Sequence, residues 1–288
     1  MPVESPAAAT PVRRAAFIFI FVTVVLDILA FGIVIPVLPQ LIREMSGGDY
    51  GSAASWVGII STVYAIVQFF STPVLGALSD RYGRRPVILL SNLGLGLDFI
   101  LLAVVQTLPW FVVARVISGM TAASFSCANA YIADVTPPDR RAEMFGKLGA
   151  AFGIGFVVGP ALGGVLGEID IRLPFWVAAA LALANFCYGY FVLPESLPPE
   201  RRTPTIDWSH VKPFGGLQRL RRYPQVFGLA VVVFLTSLAH YVLNTTFVLY
   251  ADYRYDWGPR AVGYTLGLVG VCNGIVQALL VGKLVRRF

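Results

Sequence analysis

The chain is dominated by runs of apolar residues that are long enough to cross a lipid bilayer. An α-helix needs about 20 consecutive apolar residues to span about 30 Å of hydrocarbon. Hydrophobic residues make up 57% of the 288 residues and charged residues only 13%, which is more apolar material than a soluble core of this size requires. We therefore predict an all-α integral membrane protein. The predicted spans are residues 15–38, 54–77, 87–107, 110–133, 147–166, 174–193, 225–250 and 260–281.

The basic residues are concentrated in alternate loops. Residues 1–14, 78–86, 134–147, 194–224 and 282–288 hold 17 of the 22 Lys and Arg residues. By the positive-inside rule, this places the N-terminus and the 194–224 loop in the cytoplasm of a multi-pass protein of the inner (plasma) membrane. The net charge of +6 then reports topology and does not indicate a nucleic-acid partner.

The longest loop divides the predicted helices into a group of six and a group of two. It contains six prolines and six basic residues. The predicted domains are a cytoplasmic tail at 1–14, a six-helix bundle at 15–193, a cytoplasmic linker at 194–224 and the start of a second bundle at 225–288.

The sequence contains no pattern that indicates a metal site, a cofactor or catalysis. Its three cysteines, Cys127, Cys187 and Cys272, all lie in apolar runs, and their spacing fits neither a metal site nor a disulfide framework. No nucleophile and base are placed to act together. We predict a protein that is not an enzyme and that needs no cofactor or metal.

Three ionisable residues lie inside otherwise apolar spans. At 1.5 Å per residue, Asp27, Asp98 and Arg115 share one layer near the middle of the bilayer. An ionised side chain at that depth costs a few kcal/mol or more, so it must face a cavity, form a pair or be neutral. Two interpretations remain open. The carboxyls exchange protons as their surroundings alternate between wet and dry, or an Asp–Arg pair simply locks helices together.

The fifth span carries a row of glycines at i,i+4 spacing. Gly155, Gly159 and Gly163 lie on one helical face, and a face without side chains allows another helix to approach closely. This predicts a packing surface. A smooth surface of this kind also allows helices to slide or rock, as alternating access requires. Pro160 is expected to kink the helix.

Polar residues within the spans are candidates for lining a cavity. They are Gln68, Asn129, His240, Asn244, Asn273 and Gln277. Each of them taken alone is equally consistent with a hydrogen bond to a neighbouring helix.

Several of these segments resemble one family. Residues 76–86 resemble the G-x-x-x-D-R-x-G-R-R signature of the major facilitator superfamily. Residues 149–167 resemble the helix-5 signature of its antiporters, and residues 27–39 resemble helix 1 of its drug/proton antiporters. Residues 115–123 resemble the helix-4 signature, and the resemblance is strongest to the tetracycline/proton antiporter group.

The resemblance implies a proton-coupled exporter of an amphipathic drug, working by alternating access between two six-helix bundles. It assigns Asp27, Asp98 and Arg115 to proton coupling. It assigns the antiporter motif of helix 5 to Gly155, Gly159, Pro160, Gly163 and Gly164. It assigns a cytoplasmic latch to Gly76, Asp80, Arg81, Gly83, Arg84, Arg85 and Asp134. It implies a lipid-embedded monomer for the full-length protein, with a drug and protons as its partners.

Two departures from the family pattern leave alternatives open. Many tetracycline carriers have a histidine where this chain has Asn273, and a neutral amide neither titrates nor binds a metal chelate as imidazole does. Tetracycline and other drugs therefore both remain candidate substrates. The chain has eight predicted helices of the family's twelve, so we expect a fragment. The alternative functions are a carrier of a metabolite and a non-transporting receptor or assembly subunit built on the same scaffold.

Overall fold

The computed structural model describes residues 11–206 and 224–276, and within them the chain is helical with no β-strand. The helices are α1 Pro11–Val34, α2 Leu38–Met45, α3 Tyr50–Tyr82, α4 Arg84–Val104, α5 Leu108–Thr121, α6 Ser124–Val135, α7 Arg141–Ile169, α8 Leu173–Val192, α9 Pro224–Tyr255 and α10 Pro259–Val276. Residues 1–10 of the predicted tail, most of the predicted linker and the end of the eighth predicted span lie outside the described residues.

Six segments of the described chain are long and apolar enough to cross a membrane. They are Ile18–Met45, Tyr50–Tyr82, Arg84–Val104, Leu108–Val135, Pro138–Ile169 and Leu173–Val192. These segments coincide with the first six predicted spans. The seventh predicted span lies in α9, where the apolar stretch Phe227–Ala239 is shorter, and the eighth begins in α10.

Two of the predicted spans are interrupted. The first breaks between α1 and α2 at residues 35–37, because Pro36 lacks the N–H that would continue the helix and its ring crowds the preceding turn. The fourth breaks between α5 and α6 at Ala122 and Ala123, whose backbone angles are not helical. Neither of these two residues predicts a break. The interruption places Ser124 at the first turn of α6.

The glycine row of α7 packs directly on α1. A Cβ added to Gly159 would lie 2.7 Å from the Cα of Gly32, and one added to Gly155 would lie 2.7 Å from the Ile28 side chain. On another face of α7, Gly164 meets Gly263 of α10, where an added Cβ would come within 2.9 Å of the Gly164 Cα. The packing prediction for α7 is therefore confirmed, and this helix lies between α1 and α10.

The structure has two ends, which α3 connects over its 33 residues, or about 50 Å. The Arg84 end contains the turn between α3 and α4. The Arg43 end contains α2 and the turn between α9 and α10. Among the described residues, α9 and α10 pack on the preceding helices toward the Arg43 end, where Val248 and Val262 cluster with Ile35. Further toward the Arg84 end, Cβ atoms added to Gly153 and Gly274 would meet nothing within 4 Å.

We expect Gly159→Ala to destabilise the protein, because its methyl group would force α1 and α7 apart. Overpacking of this kind costs about 1–3 kcal/mol. The matched control is Gly149→Ala, on the same helix at an exposed position where an added Cβ meets nothing. The control should raise stability slightly, since alanine favours a helix. The midpoint of thermal unfolding in detergent checks this, and equal midpoints for the two variants would contradict it.

Candidate functional site

Asp27 is buried in α1 and is held by side chains from α6 and α8. The Asn185 amide nitrogen donates to Asp27 Oδ1 at 2.7 Å and to the Thr23 carbonyl at 2.8 Å. The Ser124 hydroxyl donates to Asp27 Oδ2. Asp27 is 9% exposed and Asn185 is fully buried, so this carboxyl exchanges hydrogen bonds with protein groups and scarcely at all with bulk solvent.

Asn92 of α4 completes the surroundings of this carboxyl. Turned so that its amide nitrogen faces Asp27, it donates to the two carboxyl oxygens at 3.1 and 3.2 Å and accepts from Asn185 at 3.2 Å. Four helices therefore converge on one acidic group. In the described part of the chain, Asp27 is in no ion pair, so uncharged donors alone surround it. A carboxyl in such a setting can gain or lose a proton without breaking a salt bridge.

The other two intramembrane charges pair with each other. Arg115 of α5 donates to Asp98 of α4, and the Tyr64 ring of α3 lies 5.8 Å from the Arg115 guanidinium carbon. Asp98 is fully buried and Arg115 is 7% exposed. Removing one partner of a buried pair leaves an uncompensated charge, which is strongly destabilising. The three predicted residues thus form two separate sites, one in which Asp27 has uncharged partners and one in which Asp98 pairs with Arg115.

Four of the seven predicted latch residues lie together at the Arg84 end: Asp80, Gly83, Arg84 and Asp134. Gly83 ends α3 with a φ of +107°, a conformation that favours glycine, and Arg84 follows it at the start of α4. Arg84 forms ion pairs with Asp80 at 2.6 Å and with Asp134 of α6 at 3.1 Å. It also donates to the Ser79 hydroxyl at 2.7 Å.

Glu195, which the sequence analysis missed, caps the N-terminus of α4. Its carboxylate accepts from the backbone N–H of Arg84 at 2.8 Å, of Arg85 at 3.3 Å and of Leu197 at 3.0 Å. Arg202 lies 3.9 Å from the same carboxylate. A negative charge at a helix N-terminus satisfies backbone donors that the helix leaves unpaired. The only signal in the sequence is an acidic residue directly after the sixth span.

The segment that follows α8 donates two further hydrogen bonds to predicted latch residues. The Ser196 hydroxyl donates to Asp134 at 3.1 Å, and the Thr203 N–H donates to the Asp80 carbonyl at 3.1 Å. These contacts join the 194–203 segment to α3 and α6, so the start of the predicted linker packs on the predicted latch residues.

Some predicted site residues lie apart from these groups. Arg81 is exposed and stacks on the neighbouring Tyr82 ring, 5.2 Å from its centroid. A Cβ added to Gly76 would meet nothing within 4 Å. Arg85 donates to the Tyr190 carbonyl of α8. These three residues therefore do not join the ion pairs of Arg84 in the described structure.

The predicted cavity residues differ in their surroundings. Gln68 of α3 is half-buried. Asn273 of α10 is exposed. The Asn129 amide donates to the Phe125 carbonyl of its own helix at 2.9 Å. The side chains of His240 and Asn244, and Gln277 entirely, lie outside the described residues.

Three aromatic side chains of α6 and α7 contact one another in sequence. Phe125 follows Ser124 in α6, and its ring centroid is 5.9 Å from that of Phe152 in α7. Phe152 stacks in turn on Phe156, with centroids 5.5 Å apart. The three rings therefore form one contiguous aromatic cluster between α6 and α7.

The helices and buried charges described above indicate the class of protein. Long apolar helices, small-residue helix contacts and ionisable groups at bilayer depth are the organisation of a secondary transporter. Among the described residues, no group of three His, Cys, Asp or Glu side chains is placed to hold a metal ion.

Comparison with known proteins gives the family. Residues 20–288 match the sequence model of the Major Facilitator Superfamily. The class C tetracycline resistance protein of Escherichia coli is 38% identical over 273 residues, which cover 95% of this chain and 68% of that protein. The chain belongs to the Major Facilitator Superfamily. It has that fold, with a six-helix bundle followed by the first two helices of a second bundle.

Two further comparisons extend this result. Multidrug resistance protein 2 of Bacillus subtilis (strain 168) is 29% identical over 278 residues, which cover 96% of this chain and 68% of that protein. The crystal structure of a human organic anion transporter superposes with a TM-score of 0.74 at 25% identity, and the match covers 94% of this chain and 72% of that one. The chain is thus a membrane transporter similar to drug-resistance proteins.

We expect Glu195→Ala to loosen the start of α4, because the backbone N–H groups of Arg84 and Arg85 lose their acceptor. An unsatisfied polar group costs about 1–3 kcal/mol. The control is Glu200→Ala, which removes the same charge at an exposed position of the same segment. Hydrogen exchange at the Arg84 and Arg85 amides should accelerate in the first variant and not in the second. Unchanged exchange in both variants would show that Glu195 does not cap α4.

Proposed function

We propose that this protein exports an amphipathic small molecule from the cell in exchange for protons, by alternating access. The observation that carries the proposal is the Asp27 carboxyl, which is buried at bilayer depth among uncharged donors from three other helices. A group in such a site is able to bind a proton from one side of the membrane and release it to the other. The resistance proteins to which the chain is similar support the direction of transport.

The Asp98–Arg115 pair has a supporting role in this proposal. It lies on α4 and α5, and α4 also contributes Asn92 to the Asp27 site. A rearrangement of this pair would therefore move a hydrogen-bond partner of Asp27. We propose that Asp27 carries the proton and that Asp98 and Arg115 couple its protonation to helix movement.

Loop charge indicates which side of the membrane each end of the structure faces. We propose that the Arg84 end faces the cytoplasm, since the basic loops lie there. The ion pairs of Arg84 with Asp80 and Asp134 lie within the first six spans, and we propose that these residues form one half of a latch that closes the cytoplasmic side against the second bundle when the cavity opens outward.

The substrate class that we propose rests on the aromatic cluster of α6 and α7. Phe125 and Phe152 are 52% and 42% exposed, so their rings are available for contact with a ligand. A stacked aromatic surface beside polar groups suits a molecule with an aromatic or apolar body and a polar edge. Tetracyclines and other amphipathic drugs both meet this description, and Asn273 in place of the family's frequent histidine leaves both as candidates.

The proposal predicts that Asp27→Asn abolishes proton-coupled export while the protein remains in the membrane. Asparagine keeps the shape of the side chain but cannot carry a proton. In cells that express the complete gene, drug resistance should fall to the level of the empty host. In inverted vesicles, drug-induced proton movement should disappear. The control is Asp139→Asn, which makes the same change at a residue whose side chain is 76% exposed, and it should behave as the parent.

Unchanged resistance and unchanged proton movement in Asp27→Asn would contradict this mechanism. A parent protein that confers no resistance to any drug but supports growth on a single metabolite would indicate a metabolite carrier. If substitution of Asp27 and of Asp98 changes no phenotype, this would indicate a non-transporting receptor or subunit.

The aromatic surface makes a separate prediction. Phe152→Ala should weaken drug binding by about 1 kcal/mol or more, or at least about fivefold in Kd, because a stacked ring contributes both area and ring contacts. The control is Ile154→Ala, which removes an apolar side chain of similar exposure from another face of the same helix. Equilibrium binding to the purified protein measures the effect. Equal affinities for the two variants would exclude Phe152 from the substrate site.

A further inference from the structure

A partly buried ion pair joins α9 to the helices that precede the 194–224 loop, at the Arg43 end. Arg43 of α2 donates to Asp252 of α9, so the pair connects residues that are 209 positions apart. The Asp252 side chain is 8% exposed and the Arg43 side chain is 29% exposed. Among the described residues, the other ion pair between α9–α10 and the preceding helices is Arg260–Glu168 at 3.3 Å, where both side chains are more than half exposed.

Aromatic side chains hold the Arg43 guanidinium in position. It donates to the Tyr50 hydroxyl and lies 4.8 Å from the centroid of the Tyr50 ring. The Tyr50 ring contacts Tyr253, the neighbour of Asp252, edge to face with centroids 5.1 Å apart. Tyr50 of α3 and Tyr253 of α9 therefore flank the pair, and the low exposure of Asp252 strengthens the attraction between the charges.

Contacts around the pair close this end of the structure. Gln40 donates to the Trp257 carbonyl at 3.4 Å, and Leu249 packs into the core formed by α1, α2 and α3. By contrast, α7 and α10 are in contact at Gly270 but no longer at Gly274. Within the described residues, the side-chain contacts that join α9 and α10 to the preceding helices are therefore concentrated toward the Arg43 end.

We propose that Arg43 and Asp252 form a gate that holds the Arg43 end closed and separates whenever the cavity opens to that side. The inference rests on the proposed function, because alternating access requires this end to open in each cycle. Charges suit a contact of this kind. They are paired when the end is closed and hydrated when water enters, so both states are accessible. An apolar contact of the same size would favour the closed state alone.

The gate is tested by the reactivity of a cysteine that it covers. Leu249 is 6% exposed, one turn from Asp252. In the full-length protein, with Cys127, Cys187 and Cys272 replaced by serine, Leu249→Cys is treated in vesicles with a membrane-impermeant thiol reagent added from the Arg43 side. The labelling rate, in the absence of substrate and of a proton gradient, reports the fraction of molecules open at that end.

Arg43→Gln and Asp252→Asn should each raise the labelling rate about tenfold, the shift expected when one partner of a partly buried pair is lost. The exchange Arg43→Asp with Asp252→Arg should return the rate toward that of the parent. The matched control, Arg260→Gln, breaks the exposed pair at the same end and should change the rate less than about twofold, since exposed pairs contribute little.

A second variant keeps the test decisive if the single substitutions reduce folding. Replacement of both charges by apolar residues, Arg43→Met with Asp252→Leu, should lower the labelling rate below that of the parent and slow transport. Equal labelling in the parent, the single variants and the apolar variant would overturn the gate. The labelling does not require transport, so a parent that labels as expected but moves no drug would contradict the proposed function and leave the gate intact.

Discussion

The hydrocarbon core of a bilayer offers no hydrogen-bond partners, and the positions of the polar residues in this protein follow from that constraint. Asp27 accepts hydrogen bonds from Ser124, Asn92 and Asn185, which come from three other helices. Asp98 forms an ion pair with Arg115. Both solutions need helix backbones at defined distances, and the close contact of α1 with α7 at Gly32 and Gly159 fixes one of these distances. Helix packing and the surroundings of Asp27 are therefore linked through α1.

The two ends of the molecule use charge in different ways. At the Arg84 end, Arg84 of α4 pairs with Asp80 of α3 and with Asp134 of α6. Glu195 caps α4 and thereby joins it to the segment after α8. At the Arg43 end, a partly buried pair connects α2 to α9. A transporter that alternates between two states needs contacts that form and break at opposite ends, and partly hydrated ion pairs meet this need better than apolar contacts do.

Much of the fold was predictable because bilayer-length apolar runs permit few structures. The first six spans and the packing face of α7 were predicted from run length and glycine spacing, and both are confirmed. The break between α5 and α6 was not predictable, since Ala122 and Ala123 favour a helix. That break presents Ser124 to Asp27. The predictions for Asn129, His240 and Asn273 came from polarity alone, which does not distinguish a cavity from a helix contact.

The sequence by itself determined the class of the protein, its predicted orientation and the three charges at bilayer depth. These depend on local composition, which hydropathy and loop charge report directly. Only the tertiary structure decided that Arg115 pairs with Asp98 and that Asp27 has neutral partners. It also placed Asn185 on Asp27, Glu195 on α4 and Arg43 on Asp252. These partners are 17 to 209 residues apart, and their meeting depends on how whole helices pack.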